Sequence, residues 1–251
     1  MLLAGARAAA EPCPAQVRVS LPNFDIAPYV IGTDQVESPP GLLIEWTRKA
    51  LAAAGCKSSI TIKRRPPNRQ LAEVNAGLLD ILPGFAYSAN PDDQLVFPMF
   101  ENSADPHRAV MVDTVSLYVR GGPSNISWDG ARLTAAGRPL GAVGTSTGGA
   151  STDEVAAKFG WTLESAPTPK ADLDKLLAGR VDVIMEPDVV MTRYMAKAPS
   201  VVKLAPPVRT TYRYAAVRQG FAAQYPAFTE RFWRALCLEA RAGGSPVPAC
   251  R

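Results

Sequence analysis

The sequence contains a single histidine, His107, and its four cysteines include no Cys-x-x-Cys pair. A chain so poor in the usual ligands of transition metals is not expected to hold a metal site. The motif HExxH is also absent, and a Ser-His-Asp or Cys-His site would have to assemble around His107 alone. We therefore predict a protein that is not an enzyme and needs no cofactor.

Neither sign of charge dominates, and long apolar runs are missing. The 27 basic residues exceed the 23 acidic ones by only +4, and no basic run is longer than Lys63-Arg64-Arg65. This even spread gives little support for a nucleic-acid partner.

No segment approaches the roughly 20 consecutive apolar residues that a membrane-spanning helix needs, so no direct membrane insertion is expected. With 47% hydrophobic residues over 251 positions, the chain can bury a substantial core.

The N-terminal residues have the composition of an export signal. Met1–Ala10 are apolar or small apart from Arg7, and they end in three alanines before Glu11. This is typical of the end of a signal peptide with an Ala-x-Ala cleavage site, although a basic start and a full apolar stretch are missing. We predict a signal-peptide remnant over residues 1–10 and a soluble periplasmic protein. The alternative is an alanine-rich disordered N-terminus of a cytosolic protein.

The cysteines stand next to predicted elements. Cys13 precedes the first predicted strand and Cys56 follows the first predicted helix, so in a βαβ unit both fall at the same end of the sheet. Cys237 and Cys250 would tie the C-terminal tail to the last helix. Four cysteines allow three pairings, of which we favour 13 with 56 and 237 with 250 in an oxidising compartment. The alternative is four unpaired buried thiols in a cytosolic protein.

Strands and helices alternate along the first part of the chain. Apolar alternation and helical spacing predict strand 17–21, helix 41–54, strand 59–63, helix 69–76 and strand 78–83. Such alternation indicates an α/β fold with a mostly parallel sheet flanked by helices. Ligands of such sheets bind at the carboxyl ends of the strands.

The pattern restarts after a β-rich run at 109–119, which indicates a crossing into a second lobe. Further strands are predicted at 140–143, 181–185 and 201–204, and helices at 153–159, 170–178 and 189–196. A strand at 212–217 would return to the first lobe, where helix 225–238 closes the fold. The predicted division is therefore 11–115 with 208–251 as lobe 1 and 116–207 as lobe 2. A weak internal similarity between Leu71–Leu82 and Leu173–Ile184 agrees with two related lobes.

Seven short segments in this order resemble the family 3 extracellular solute-binding proteins, which are the periplasmic receptors of polar amino-acid ABC importers. The resemblance covers about Gln16 to Leu238. The segments are Pro28-Tyr29, Gly41–Glu45, Arg65–Arg69, Ala76–Ile81, Tyr87-Ser88 followed by Phe97-Pro98, Gly141–Ser151 and Ala178–Val183.

This resemblance implies a two-lobed, type II periplasmic-binding-protein-like fold with two hinge crossings. It implies a monomer that captures a small polar, amino-acid-like or carboxylate-bearing ligand between its lobes and delivers it to an ABC importer permease. Two alternatives stay open on the same fold: a sensory or partner-binding receptor module, and a dehydratase-like periplasmic enzyme.

In lobe 1, the resemblance places ligand-binding residues after the first and third strands and at the start of the second helix. Phe24 and Tyr29 would form an apolar wall, and Arg69 would offer a planar fork to a carboxylate or stack on a ring. The main chain and side chains of Ala86, Tyr87 and Ser88 would meet the ligand.

In lobe 2, a glycine-rich and hydroxyl-rich loop precedes a predicted helix. Free backbone N–H groups and the hydroxyls of Thr145, Ser146 and Thr147 would suit an anion such as a carboxylate. Glu186 directly follows an apolar strand, where the family has an acid that receives the ligand's amino group. Asp188 is a second candidate, and it could equally cap the next helix.

One position departs from the family. Amino-acid receptors of this family have a Thr-x-x-Arg segment whose arginine binds the ligand's α-carboxylate, whereas this chain reads Ser88-Ala89-Asn90-Pro91. Pro91 therefore replaces the arginine. A standard α-amino acid would require Arg65, Arg69 or Arg213 to take over that charge.

Overall fold

The computed structural model describes residues 12–56, 60–122, 125–137, 139–146 and 150–251. The chain divides into two compact units: unit 1 comprises the residues up to Val112 together with Tyr212–Arg251, and unit 2 comprises Asp113–Thr211. The chain thus passes between the units twice, whereas the sequence placed the two crossings at 115/116 and 207/208. The predicted signal-peptide remnant, residues 1–10, lies outside the described residues.

The first segment of unit 1 contains the elements β1 (Val17–Pro22), α1 (Leu42–Ala53), β2 (Ile60–Arg65), α2 (Pro67–Asn75), β3 (Ile81–Ala86), β4 (Leu95–Val96), β5 (Met99–Phe100) and β6 (Ser103–Ala104). The first crossing and unit 2 contain β7 (Met111–Arg120), β8 (Ile126–Trp128), β9 (Leu133–Ala135), β10 (Val143–Thr145), α3 (Ala150–Phe159), β11 (Leu163–Ser165), α4 (Pro169–Leu177), β12 (Val183–Pro187), α5 (Asp188–Met195) and β13 (Val201–Lys203). The second crossing and the end of unit 1 contain β14 (Arg209–Arg218), α6 (Gln219–Gln224) and α7 (Pro226–Ala242).

The sheet of unit 1 has the strand order β2-β1-β3-β14, with β4 beside β14. Strands β1, β2 and β3 run parallel, and β14 pairs antiparallel with β3 and β4. Alternate residues of β1, Val17, Val19 and Leu21, are fully buried. They belong to a core shared with α1 and α7, whose buried residues recur at helical spacing because each helix turns one apolar face inward.

The sheet of unit 2 has the order β11-β10-β12-β7, with β13 also beside β7. Strands β10, β11 and β12 run parallel, while β7 pairs antiparallel with β12 and β13. Apolar clusters cover both faces: one contains Leu173 and Leu176 of α4, and the other contains Trp128 and Val143. A sheet covered on both faces explains why β12 reads as a continuous apolar run.

The weak internal similarity corresponds to a repeated ion pair. In unit 1, Arg218 at the end of β14 donates to Asp80 and to the preceding carbonyl, that of Leu79. In unit 2, Arg120 at the end of β7 pairs with Asp182 and donates to the preceding carbonyl, that of Val181. In each unit, an arginine at the end of the long crossing strand therefore binds the residues just before an inner strand through the same two kinds of contact.

The structure contains both favoured disulfides. Cys13 bonds Cys56 with an S–S distance of 1.97 Å, and Cys237 bonds Cys250 with one of 2.00 Å. The first connects the residues before β1 to the end of α1, and the second connects α7 to the C-terminal tail. The favoured pairing is thus confirmed.

The α/β class and the succession of the main elements agree with the sequence, but several limits differ. The strand predicted at 78–83 is Ile81–Ala86, and the one predicted at 140–143 is Val143–Thr145. Gly77 and Gly179 each have positive φ and end helical segments, after which the chain turns before the strand begins. The hairpins β5–β6 and β8–β9 were not predicted, because strands of two or three residues leave no periodic signal.

Candidate functional site

The loop that follows β1 is organised by a buried arginine that the sequence did not single out. The guanidinium of Arg64, on β2, donates to five backbone carbonyl oxygens at 2.7–3.3 Å. The acceptors are Pro22, Phe24, Ile31, Gly32 and Gln35. Because these carbonyls come from separate points of the loop, one side chain sets its path. The available signal was a basic triplet at the end of a predicted strand, which is too common to be informative.

Phe24 and Tyr29 lie in this loop, as predicted. Phe24 is exposed over 46% of its surface, whereas Tyr29 is half-buried and packs edge-on against Trp46 of α1, with ring centroids 5.9 Å apart. The loop also caps α1, since the N–H groups of Leu42 and Leu43 donate to the carbonyls of Pro28 and Tyr29 at 2.9 Å. Of the two predicted aromatic residues, Phe24 is therefore the more exposed.

Arg69 lies in the first turn of α2 with its side chain exposed. Its Nε donates to Glu73 Oε1 at 2.7 Å, and Arg65 Nε donates to the same oxygen at 3.1 Å. One carboxylate thus holds two of the three arginines that the sequence named as replacements for the family arginine.

Ala86 ends β3, and Tyr87 and Ser88 follow it. Tyr87 is 41% exposed and packs edge-on against Phe97, while the Ser88 hydroxyl donates to Asp93 Oδ2 at 2.6 Å. Pro91 begins a short 3-10 turn that Asn90 caps through its side chain. The segment that bears the arginine in the family is here a compact turn held by its own polar side chains.

Arg213, the third arginine, lies on β14 directly opposite Ala86. Side chains alternate along a strand, so Arg213 shares its sheet face with Ala215 and Val217, which pack in the core beneath α1. This register puts Arg213 at the carboxyl end of β3, where ligands of parallel sheets bind.

In unit 2, Ser146 and Glu186 bind each other. The Ser146 N–H donates to Glu186 Oε1 at 2.6 Å, and the Ser146 hydroxyl donates to Oε2 at 2.9 Å. Glu186 is fully buried at 0% exposure, and Thr145 is buried at the end of β10. Thr147 lies outside the described residues. The structure thus brings two predicted residues together, with both Glu186 oxygens engaged by Ser146.

Asp172 is a functional candidate that the sequence analysis missed. It lies in the first turn of α4 and is fully buried, and neither of its carboxyl oxygens has a hydrogen-bond partner among the described residues. Gly144 of β10 makes room for it, because a Cβ at that position would overlap the Asp172 carboxyl group. The available signal was an acidic residue four positions before Leu176, on the apolar face of the predicted helix.

The two carboxyl groups affect each other's ionisation. Burial, followed by the negative charge of Glu186, raises the pKa of Asp172 to about 8. Burial also raises the pKa of Glu186, although the hydrogen bonds from Ser146 act in the opposite direction. Because the Ser146 N–H and hydroxyl both donate to Glu186, they favour its carboxylate form, so a proton in this pair is favoured on Asp172.

Asp188, the second acidic candidate, begins α5. Its Oδ1 accepts the Tyr118 hydroxyl at 2.7 Å, and its Oδ2 pairs with Lys203 at 3.2 Å. Asp188 therefore links three elements of unit 2.

Comparison with solved structures identifies the architecture. A histidine kinase sensor domain described as similar to periplasmic binding proteins shares 20% identity over 94% of this chain and 98% of its own, with a TM-score of 0.61. The second substrate-binding domain of GlnP from Lactococcus lactis shares 16% identity over 94% and 93%, with a TM-score of 0.62. The glutamate-bound GluR0 ligand-binding core from Nostoc punctiforme shares 13% over 90% and 94%, with a TM-score of 0.59. The chain has a type II periplasmic-binding-protein-like fold.

These similarities agree with the resemblance drawn from the sequence: two of the three structures are described as ligand- or substrate-binding domains, and the third as a sensor domain. No family model matches the chain, and no curated protein sequence matches it. In this type II fold, the predicted site residues that the structure describes lie at or after carboxyl ends of parallel strands: β1, β2 and β3 in unit 1, β10 and β12 in unit 2.

The described residues lack both a membrane-spanning helix and a cluster of metal ligands. None of their helices combines the length and apolar character of a membrane span. No group of three or more His, Cys, Asp or Glu side chains among them is arranged to hold a metal ion.

Proposed function

We propose that the chain is a periplasmic solute-binding protein that captures a small polar, carboxylate-bearing ligand for import by an ABC transporter. The observation that carries this proposal is the type II fold, which extends over more than nine-tenths of both this chain and substrate-binding domains such as that of GlnP. Two disulfides support export, since such bonds persist in oxidising compartments.

Arg213 is the residue we propose for the ligand's carboxylate. Its register opposite Ala86 puts it beside the predicted contacts Tyr87 and Ser88, at the carboxyl end of β3. A guanidinium that binds a carboxylate through two hydrogen bonds gives both affinity and orientation. Phe24, which is 46% exposed, is the proposed apolar contact from the same unit.

In unit 2, Ser146 is the proposed contact with a ligand, together with Thr145 and Thr147. Glu186, which the sequence analysis assigned to the ligand's amino group, stays a candidate for that role. Its complete burial against Ser146 and Asp172 also supports a second role, which is to hold Ser146 in place.

The test is a thermal-shift screen of the oxidised full chain against amino acids, small carboxylates, amines, sugars and aromatic acids. A ligand at about 100 times its Kd stabilises the folded state by roughly 2.7 kcal/mol, which is a readily measured shift. The proposal expects a hit that carries a carboxylate and is recovered chemically unchanged. A hit that the protein converts to another compound would support the dehydratase-like alternative instead.

Variants locate the site. Arg213→Gln is expected to weaken binding of the hit by about 10- to 100-fold, which corresponds to the loss of one charge-assisted contact. The matched control is Arg48→Gln, at an exposed arginine of α1 in the same unit, which should leave the Kd unchanged. An unchanged Kd in Arg213→Gln would reject the assignment of Arg213, and no hit across the panel would reject small-ligand capture.

A sensory module is the second candidate, favoured by the similarity to a histidine kinase sensor domain over 98% of that domain. It predicts the same ligand binding but no role in uptake. Deletion of the gene would then leave uptake of the radiolabelled hit unchanged, whereas the importer proposal expects that uptake to fall. Fractionation of the expressing cells tests the periplasmic location, and light scattering tests the monomer.

A further inference from the structure

Unit 2 contains a polar cluster formed by Ser146 and the buried residues Asp172 and Glu186. Its polar groups lack one hydrogen-bond donor unless one of the two carboxyl groups is protonated. Both Glu186 oxygens accept from Ser146, and the two Asp172 oxygens receive no hydrogen bond from any described N–H or hydroxyl donor. The Asp172 carboxyl group lies against Gly144, whose strand partner Ile184 is two residues before Glu186, and the two carboxyl groups interact electrostatically. As two carboxylates they could not hydrogen-bond each other, because neither has a hydrogen to donate.

The proton belongs on Asp172. Glu186 as a carboxylate satisfies the Ser146 N–H and hydroxyl, both of which are donors in these contacts. A protonated Asp172 then supplies the missing donor to Glu186. A buried polar group without a partner costs about 1–3 kcal/mol, and two adjacent buried negative charges cost more, so this assignment is the one that satisfies every group.

We propose that Asp172 is a positioning residue for the unit 2 part of the candidate site. Its carboxyl group holds a proton, donates a hydrogen bond to Glu186, and thereby keeps Glu186 in place to bind Ser146. This inference rests on the proposed function, in which Ser146 is a ligand contact. Loss of the Asp172 proton would place two negative charges together in the core, displace Glu186 and release Ser146.

The charged groups near Asp172 other than Glu186 are bound to one another, so the Asp172 proton is the one that we expect to change with pH. Glu164 on β11 and Lys175 on α4 both influence Asp172, but they form an ion pair with each other at 2.8 Å. Tyr118 on β7 donates to Asp188, which also pairs with Lys203. Burial, the hydrogen bond to Asp188 and the negative charges of Asp188 and Glu186 raise the pKa of Tyr118, so its hydroxyl stays neutral.

The experiment is an NMR titration of the oxidised full chain with carbon-13 in the Asp and Glu carboxyl groups and nitrogen-15 in the backbone. The Asp172 carboxyl signal, identified by its absence from Asp172→Asn, is expected to titrate at least two pH units above the usual aspartate value near 4. The Ser146 amide signal should shift with the same midpoint. In Asp172→Asn, whose amide donates without titrating, that shift of Ser146 should disappear.

The controls separate positioning from a general loss of structure. Asp174→Asn changes an exposed aspartate of the same helix and should preserve the Ser146 titration. If Asp172→Asn does not fold, Glu186→Gln serves instead: it removes the neighbouring charge and should move the Asp172 midpoint towards 4. An Asp172 midpoint near 4 in the wild-type protein, or a Ser146 amide that does not follow Asp172, would overturn the inference.

No ligand enters this titration, so its outcome is independent of the ligand screen. A negative titration would leave the proposed function standing with a different support for Ser146. A negative screen would leave the shared proton as a property of a site with no small ligand.

Discussion

The backbone of Gly144 lies against the carboxyl group of Asp172, with no room for a side-chain carbon between them. Gly144 does not have a positive φ, so its lack of a side chain is required by this close approach and not by backbone conformation. The sequence places this glycine at the end of an apolar segment, next to the polar residues Thr145 and Ser146.

Gly144→Ala is expected to lower the free energy of unfolding by about 1–3 kcal/mol, because the added methyl group must displace Asp172 or Ile184 within a buried region. Urea denaturation measures the effect. The matched control is Gly141→Ala, where the new carbon would meet only Asp182 at an ordinary 3.8 Å. Equal stabilities of the two variants would show that the Asp172 carboxyl group is not confined.

Asp172→Asn should gain stability relative to the wild-type protein as the pH rises from about 4 to about 8. The raised pKa of Asp172 means that the folded protein keeps a proton that the unfolded chain releases above about pH 4. Wild-type stability from this group is therefore fully present below pH 4 and is lost as the pH rises towards 8. The variant has no such loss. Melting temperatures measured at several pH values test this, and a constant difference between the two proteins would contradict it.

The lowered pKa of Asp80 in unit 1 predicts the opposite pH dependence of stability. It is 1% exposed, and although burial opposes its ionisation, the hydrogen bonds from Arg18 and Arg218 hold its pKa below the usual range. Its contribution is present above about pH 4 and is lost as the pH falls through the lowered pKa.

Asp80→Asn should therefore destabilise the protein by about 3 kcal/mol at pH 7 and by less at pH 3, because it leaves two arginines without their buried partner. Asp182→Asn is the matched control, since Asp182 occupies the equivalent position of unit 2 with a longer ion-pair distance of 3.5 Å. A larger loss in Asp182→Asn than in Asp80→Asn would refute this ranking.

Arg64→Lys should destabilise the protein by about 2–4 kcal/mol, because an ammonium group cannot reach the five carbonyl oxygens that the guanidinium binds. The loop that carries Phe24 should then exchange its amide hydrogens faster. Arg48→Lys, on an exposed surface of α1, is expected to change neither property. Unchanged exchange in the loop would show that Arg64 does not set its path.

Replacing the pair Cys237 and Cys250 with alanine should lower the free energy of unfolding by about 3 kcal/mol. The bridge closes a short loop of sequence separation 13, and removing it frees the unfolded chain. The tail keeps a second attachment, since Arg251 binds both oxygens of Asp105 at 2.9 and 3.0 Å. Chemical denaturation measures the change, and a loss below about 1 kcal/mol would indicate that the ion pair alone is sufficient.

Much of the fold follows from local sequence. Apolar spacing and glycine positions were sufficient for the α/β class and for the order of the main strands and helices, because each depends on short-range periodicity. The favoured disulfides also followed, since a βαβ unit brings Cys13 and Cys56 to one end of the sheet. The strand after Gly77 began later than predicted, because Leu79 is already buried in the turn before the strand while Leu78 is exposed.

The candidate site depended on tertiary structure to a much greater degree. The sequence named Ser146 and Glu186 separately, but only the pairing of β10 with β12 makes them hydrogen-bond partners. Asp172 and Arg64 gave no distinctive local pattern, because a carboxyl group or guanidinium becomes unusual only when distant segments surround it. Local periodicity thus determined which elements form, whereas long-range packing decided which polar groups are buried together and where a proton must reside.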